Sequence, residues 1–390
     1  MSEELMRRAG TTPTISVIMP AHNAAHYMER SLPPLMEMLE QGTVSEVIVV
    51  DDCSTEASTA ELARRRGARM IRTPLNGGPG AARNLAAKNA VGEILWFVDA
   101  DVIAHRDAPE QIRRALADHT VSAVFGSYDD SPPAPAFAAQ YKNLTHRYYH
   151  QRARREASTF WAGCGAVRRS IFLDLRGFDV ERYRVPSIED IELAFRIRAA
   201  GGRILLDPKL HATHLKAWTV LEVIRVDLFR RAIPWARLMI GRTGLTDDLN
   251  VAKGERLRAG LAGVFFLSLS LPFLLASLWW APALATAAVF AANKSFLAFM
   301  RKHRGVLFAM ESLLFHQVYY VYSATAFVFC LLEHHLKAPP VRAFRLARGC
   351  RRLFRTGQGQ PLHAAGCRRK AQSMPADNSK KSYSASTNST

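Results

Sequence analysis

The run EILWFVDADV, residues 93–102, closes an apolar stretch with Asp99 and Asp101, two carboxylates one alanine apart. Like charges at that spacing repel, and in a partly dry site each resists ionising. A cation held between them relieves the conflict, and so does rotation of one side chain into solvent. Hard oxygen donors of this kind suit Mn2+ or Mg2+ bridging phosphate oxygens. Surface turns often contain an Asp-x-Asp, so its neighbours must decide. Asp52 ends a second apolar run, SEVIVVDD (45–52), and Asp190 follows Glu189 in SIEDIELAFRIRAAG (187–201). Pro186-Ser187 gives an N-cap signal for a helix there, and acidic residues at a helix start are commonly only complements to the helix dipole.

These carboxylates need elements to position them. ISVIMP (15–20) and SEVIVVDD read as buried strands, rich in β-branched residues and ending in polar breaks. Between them, MERSLPPLMEMLEQ has helical spacing interrupted by Pro33 and Pro34 near its start. STAELARRRGA (58–68) reads as a helix, MIRT (70–73) as a short strand, GAARNLAAKNAVG (80–92) as a helix and EILWFV as the next strand. The β-α-β-α-β order predicts an α/β fold, a mostly parallel sheet with helices on both faces. Such sheets bind ligands beyond the carboxyl ends of their strands, where Asp52, Asp99 and Asp101 fall. Gly77, Gly78 and Gly80 lack the GK[ST] ending of a phosphate P-loop and do not make a GxGxxG fingerprint.

The chain has 390 residues and a net charge of +18, concentrated in a tail from Lys337 that holds twelve Lys or Arg against one Asp. No zinc-finger, RRM or helix-turn-helix pattern accompanies it, which argues against nucleic acid. A basic tail beside apolar spans points instead to an anionic membrane surface. The five cysteines show no CxxC, consistent with reduced thiols and a cytosolic setting, and the N-terminus has no secretory h-region. Ala259–Asn293 contains no Asp, Glu, Lys or Arg, enough for two membrane spans with LWWAP (278–282) at the turn. After RKHR (301–304) a third apolar stretch, 305–332, carries Glu311 as its one formal charge. The positive-inside rule puts RKHR in the cytosol, although a third crossing would then carry the basic tail out. The segment 215–242 interleaves Trp, Leu, Ile and Phe with arginines, the composition of a helix in the headgroup layer. Ser312, His316, Tyr319 and Ser323 form a polar stripe at helical spacing, which interhelical hydrogen bonds account for.

VIMPAHN (17–23), VVDDCS (49–54), NGGPGAARNLAAKNAVGE (76–93), the DAD, WAGCGAVRRSIFLDLRGFD (161–179), SIEDIELAFRIRAAG and HATHLKAW (211–218) occur in this order. The series resembles the family-2 glycosyltransferases of the GT-A fold over roughly residues 13–240. The resemblance implies inverting transfer of one sugar from a nucleotide-diphosphate donor, with Mn2+ or Mg2+ as cofactor. It implies that Pro20, His22 and Asn23 line the nucleotide pocket, that Asp52 contacts the base, and that Gly78, Arg83 and Asn84 hold the nucleoside and diphosphate. Asp99 and Asp101 become the DxD, Asp101 the direct metal ligand and His214 a further one. The Glu189–Asp190 pair becomes catalytic, with Asp190 the general base. A separate carboxylate is what the chemistry needs, because the acceptor hydroxyl loses its proton on the face opposite the leaving diphosphate. The QxxRW motif of processive synthases is absent, its region reading DLFRRAIPW, so one sugar is expected per event. His22 stands where the family usually has Tyr.

The expected organisation is a lead (1–12), a GT-A domain (13–214), interfacial amphipathic helices (215–258), a membrane region of two or three helices (259–334) and a basic disordered tail (335–390). The expected partner is a lipid-linked or membrane-associated acceptor, with the catalytic domain on the cytosolic face of the inner (plasma) membrane. Rival readings are a polyprenyl-phosphate sugar synthase and a non-catalytic sugar-nucleotide-binding module.

Overall fold

The computed structural model describes residues 12–243 and 247–337, so the expected basic tail (335–390) beyond Lys337 and nearly all of the N-terminal lead lie outside the described residues. In chain order the first half runs β1 (Ile15–Ala21), α1 (Ala25–Glu40), β2 (Glu46–Asp51), α2 (Ser58–Arg65), β3 (Arg69–Arg72), α3 (Gly78–Asn89), β4 (Ile94–Val98), β5 (Val102–Ala104), α4 (Ala108–Ala115) and β6 (Val121–Tyr128). Then follow α5 (Phe137–Arg152), β7 (Cys164–Arg168), α6 (Arg169–Asp174), α7 (Glu189–Ala199) and β8 (Arg203–His214). The eight strands form one sheet in the order β3-β2-β1-β4-β7-β6-β8-β5. Pairing from β3 to β4 is parallel, as the β-α-β order requires. Beyond β4 the sheet is mixed, because β7 runs antiparallel to both β4 and β6 while β8 lies parallel to β6.

Strand alternation divides the core between the two faces. Val17, Met19, Val47, Val49 and Trp96 pack with Met28, Leu32 and Leu35 of α1, Leu62 of α2 and Ile112 of α4. Ile18, Ile48, Val50, Leu95 and Phe97 pack with Ala82 and Ala86 of α3, Phe172 of α6 and Leu193 of α7. Helix α1 starts earlier than its spacing suggested and runs unbroken through Pro33 and Pro34. Each proline removes a helical hydrogen bond; burial of Met28, Leu32, Leu35 and Met38 on the sheet offsets that loss.

A capping box between Thr219 and Glu222 starts α8 (Val220–Val226). A π-helical turn (Asp227–Ala232) continues into α9 (Ile233–Leu238). Leu221 and Phe229 are exposed along this segment beside its arginines. Next come α10 (Lys253–Ser268), α11 (Leu271–Leu274), α12 (Ala281–Ala292) and α13 (Lys294–Lys337). Among the described residues two helical stretches, Lys253–Leu274 and Lys294–Lys337, are long and apolar enough to cross a membrane. The apolar piece between them, Ala276–Ala292, is shorter than a span. Gly305, at φ 86°, interrupts α13 just after RKHR, a backbone angle that glycine adopts without a Cβ penalty. Arg304 there donates to Gln140 Oε1 and to the Asp130 carbonyl, both at 2.7 Å. These bonds tie RKHR to the start of α5, on the side of the sheet.

Candidate active site

A cavity of about 1160 Å3 opens at the carboxyl ends of β1, β2 and β4 and continues between α5, the π-helical turn and α13. Pro20, His22, Asp52, Gly78, Arg83, Asp99, Asp101, Glu189, Asp190 and His214 all line it. Asn23 and Asn84 do not. The Asn23 amide oxygen accepts from the backbone N–H groups of Thr55 and Glu56 at 3.0 and 3.3 Å, shaping the loop after β2. The Asn84 side chain clamps Phe178, donating to its carbonyl at 2.9 Å and accepting from its N–H at 2.8 Å. Asn84→Ala should therefore cost about 1–3 kcal/mol of stability by leaving those groups unpaired, while nucleotide affinity changes less than threefold. A thermal melt set beside a nucleotide titration checks this.

On the β2 side, Asp52 is buried and accepts from Gly78 N–H at 2.7 Å, Gly77 N–H at 3.1 Å and the Thr73 hydroxyl at 2.9 Å. One carboxylate thus folds the Gly77–Gly78 loop against the strand end. Gly78 has φ +79°, and a Cβ there would lie 2.7 Å from the Arg184 carbonyl oxygen, so both backbone angle and space demand glycine. His22 is exposed at the rim, its Nδ1 2.9 Å from the Asp52 carbonyl and 3.1 Å from the Asn76 amide.

The two aspartates that open onto the cavity have separate partners. Buried Arg83 reaches Asp99 Oδ1 at 2.5 Å and Glu189 Oε1 at 3.5 Å, so one guanidinium joins the DxD to the acidic pair of α7. Asp101 Oδ2 lies 3.5 Å from His214 Nε2. Burial pushes the Asp99 carboxyl above the usual carboxylate range, opposed by Arg83 and reinforced by Asp101. Burial acts on Asp101 likewise, but the His214 hydrogen bond and the charges of His214 and Lys216 hold it below that range. The conflict expected between the two charges is therefore settled unequally. Tyr128 stacks on the His214 ring at 4.7 Å and fixes its plane. Among the described residues no three of His, Cys, Asp or Glu converge as metal ligands. Asp101 and His214 alone offer one oxygen and one imidazole beside open cavity. That set fits a divalent ion whose remaining positions come from phosphate and water.

Asp190 stands at the first turn of α7, its Oδ2 accepting from Ala162 N–H at 3.1 Å. Ser187 does not cap that helix. Its hydroxyl instead donates to the Arg230 carbonyl at 2.7 Å, and its N–H donates to Glu189 Oε2 at 2.9 Å. Burial, with the charge of Glu189 adding to it, pushes the Asp190 carboxyl up to about 7. A half-buried carboxylate of that basicity, facing a cavity, suits proton abstraction near neutral pH.

The far arm of the cavity holds residues that sequence reasoning missed. Lys142 of α5 is paired with Asp227, which also receives a hydrogen bond from the Tyr322 hydroxyl at 3.2 Å. Tyr149 of α5 and Tyr320 of α13 both donate to Glu255, at 2.9 and 2.6 Å. His316, picked out in the polar stripe, bonds to Tyr141 at 2.7 Å and Tyr149 at 3.1 Å. The stripe joins α13 to the sheet-bearing domain and not only to other C-terminal helices. The local signal for Asp227 was available: apart from Glu222, which the capping box uses, it is the one acid in a basic amphipathic segment, residues 215–242.

Residues 16–176 match the profile described as glycosyl transferase family 2. A poly(ribitol-phosphate) beta-N-acetylglucosaminyltransferase of Staphylococcus aureus is 32% identical over 108 residues, covering 27% of this chain and 19% of the relative. A 4,4'-diaponeurosporenoate glycosyltransferase of Staphylococcus haemolyticus is 36% identical over 135 residues, covering 33% and 32%. The chain spans less than half the length of the curated relatives it matches. A solved mannosyltransferase of Pyrobaculum calidifontis, in complex with GDP-Man and Mn2+, superposes with a TM-score of 0.50 at 23% identity, over 82% of this chain and 88% of that one. The shared fold is GT-A.

Proposed function

Since residues 16–176 carry the family-2 glycosyltransferase match on a GT-A sheet, we propose that this chain is an inverting, metal-dependent transferase. It moves one sugar from a nucleotide diphosphate to a lipid-linked or membrane-associated acceptor. The observation that carries the reading is the placement of Asp190, raised to about 7, across one cavity from the Asp101–His214 pair.

The donor's nucleoside enters at the β1–β2 end, against Pro20, His22 and the Asp52-folded loop. Asp101 and His214 would hold Mn2+ or Mg2+, which stabilises the charge that develops on a departing diphosphate. Arg83 keeps Asp99 and Glu189 in place. Asp190 takes the proton from the acceptor hydroxyl as that oxygen bonds to the anomeric carbon. The bond from the same carbon to the diphosphate oxygen breaks on the opposite face, so configuration inverts.

The membrane reading rests on Lys253–Leu274 and Lys294–Lys337 and on the bare apolar surface they carry, including Leu267, Phe273, Leu307 and Leu332. Exposed apolar side chains along helices of that length favour a nonpolar cover. With RKHR bonded to the catalytic side, the positive-inside rule favours that side as cytosolic.

The test is binding and hydrolysis of a donor panel by detergent-purified protein, with Mn2+, Mg2+ or EDTA. One donor should bind only with metal, and Asp101→Asn should abolish the metal dependence with at least tenfold loss of affinity. Donor affinity indifferent to EDTA and to Asp101→Asn would make the aspartates a structural turn.

A further inference from the structure

The acids that line the cavity are nearly all committed, whereas several of its cations are not. In the arm between α5, the π-helical turn and α10, Glu255 is bound by Arg258, Tyr149 and Tyr320. Asp227 is shared by Lys142, Arg231 and Tyr322. Arg230 and Arg256 make no ion pair among the described residues, and both line the cavity. The Arg256 Nη1 nitrogen is buried and has no hydrogen-bond partner among the described residues. A buried, unpaired guanidinium N–H is costly to keep unless a ligand meets it. Guanidinium groups match phosphate oxygens with paired hydrogen bonds, and a lysine supplies a further point charge.

The level of these cations matters as much as their sign. Arg256 sits in the first turn of the apolar stretch Lys253–Leu274, at the depth where a spanning helix meets lipid phosphates. The Arg230 carbonyl is held by Ser187, three residues before Asp190, so the π-helical turn borders the proposed base. Trp235 and Phe327 pack with Ile188 and Ile191 on either side of the Glu189–Asp190 pair. Next to Phe327, Val328 lines the cavity while standing 52% exposed on the outer face of α13. The arm is thus cationic within and apolar at its mouth.

We infer that this arm is an acceptor subsite for an amphiphile with a phosphate or phosphodiester headgroup. Arg256, Lys142, Arg230 and Arg231 grip the headgroup, and its chain leaves past Phe327 and Val328. The inference rests on the transferase and membrane readings above and names the acceptor class within them. The headgroup phosphate serves as an anchor, which leaves a hydroxyl of the same molecule free to face Asp190.

The test titrates full-length protein in a neutral alkyl-maltoside detergent with dodecyl phosphate, dodecanol and inorganic phosphate, following tryptophan fluorescence, since Trp161, Trp218 and Trp235 line the cavity. Dodecyl phosphate should bind saturably and at least tenfold tighter than either of the others. Arg256→Gln should weaken it at least tenfold and Arg256→Lys less, with nucleoside diphosphate affinity retained. Where Arg256→Gln fails to fold, Arg230→Gln at its exposed position gives the same readout. Equal binding of dodecanol, or of inorganic phosphate, would overturn the subsite, the first removing the anion and the second the chain. Parallel loss of nucleoside diphosphate affinity would overturn it too, by assigning these cations to the donor. Dodecyl phosphate binding by a protein that binds no donor would sink the transferase reading alone, whereas intact donor hydrolysis without dodecyl phosphate binding would sink the subsite alone.

Discussion

Asp190→Asn should lower transfer turnover by about 10²- to 10⁴-fold, the usual contribution of a positioned general base, while nucleotide affinity stays near that of the unaltered protein. The asparagine keeps the shape of the group and an oxygen for the Ala162 N–H, but it cannot accept the acceptor's proton. The unaltered enzyme should show the titration of this base. Its carboxyl is pushed up to about 7, by burial and then by Glu189, so kcat/KM should rise about tenfold per pH unit up to pH 7 and level off above. The same shift predicts a stability effect of opposite sign. A carboxyl raised on folding favours the protonated native state, so its stabilising contribution is full below the unfolded value near 3.8 and lost as pH rises through 7. Asp190→Asn should therefore melt higher than the unaltered protein at pH 8, with the difference vanishing near pH 4. A variant that keeps its turnover would remove Asp190 as the base. It would point to a nucleophile already ionised, such as a phosphate, as in a polyprenyl-phosphate sugar synthase.

Arg83→Met should destabilise the protein by about 3–5 kcal/mol, the typical result of removing one member of a buried ionic network. The Arg83 side chain is 4% exposed and serves two carboxylates, Asp99 on the loop after β4 and Glu189 at the start of α7. Its loss leaves two like charges, a buried Glu189 and a one-third exposed Asp99, without a partner, and neither has another cation within ion-pair distance among the described residues. Arg83→Lys, with a point charge in place of the fork, should recover only part of the stability. Adding Glu189→Gln to Arg83→Met should restore more, because it removes one orphaned charge, and the double-mutant cycle isolates that coupling. Thermal unfolding in detergent reads both. If Arg83→Met left the melting temperature unchanged but abolished nucleotide binding, the residue would be a donor contact and not the link between the two acidic elements.

Much of the catalytic half was legible because its signals are local. β-branched runs that end in carboxylates mark buried strands and their carboxyl ends, and the β-α-β order dictates parallel pairing. Asp52, Asp99 and Asp101 could therefore be put at one edge of one sheet before any tertiary contact was known. Side-chain bonds to residues far along the chain left no trace in the local pattern. Asn84 sits in a motif that resembles a nucleotide loop, yet its amide is held by Phe178, 94 residues further on. Ser187 has the form of a helix cap but donates to Arg230.

By itself the sequence determined the α/β sheet, the strand ends that carry acids, the position of Asp190 at a helix start and the apolar helices after residue 250. These follow from periodicity, propensity and charge within a few turns of chain. Only the tertiary structure decided which charge meets which. Arg83 and Glu189 are separated by 106 residues, and no local pattern records their pairing. The same holds for the union of α13 with the catalytic domain through His316, 175 residues from Tyr141. That union makes the membrane-class helix a wall of the cavity. Bonds of this range are fixed by how the layers stack once the sheet has formed, because burying a polar group is tolerated only where another element brings its partner.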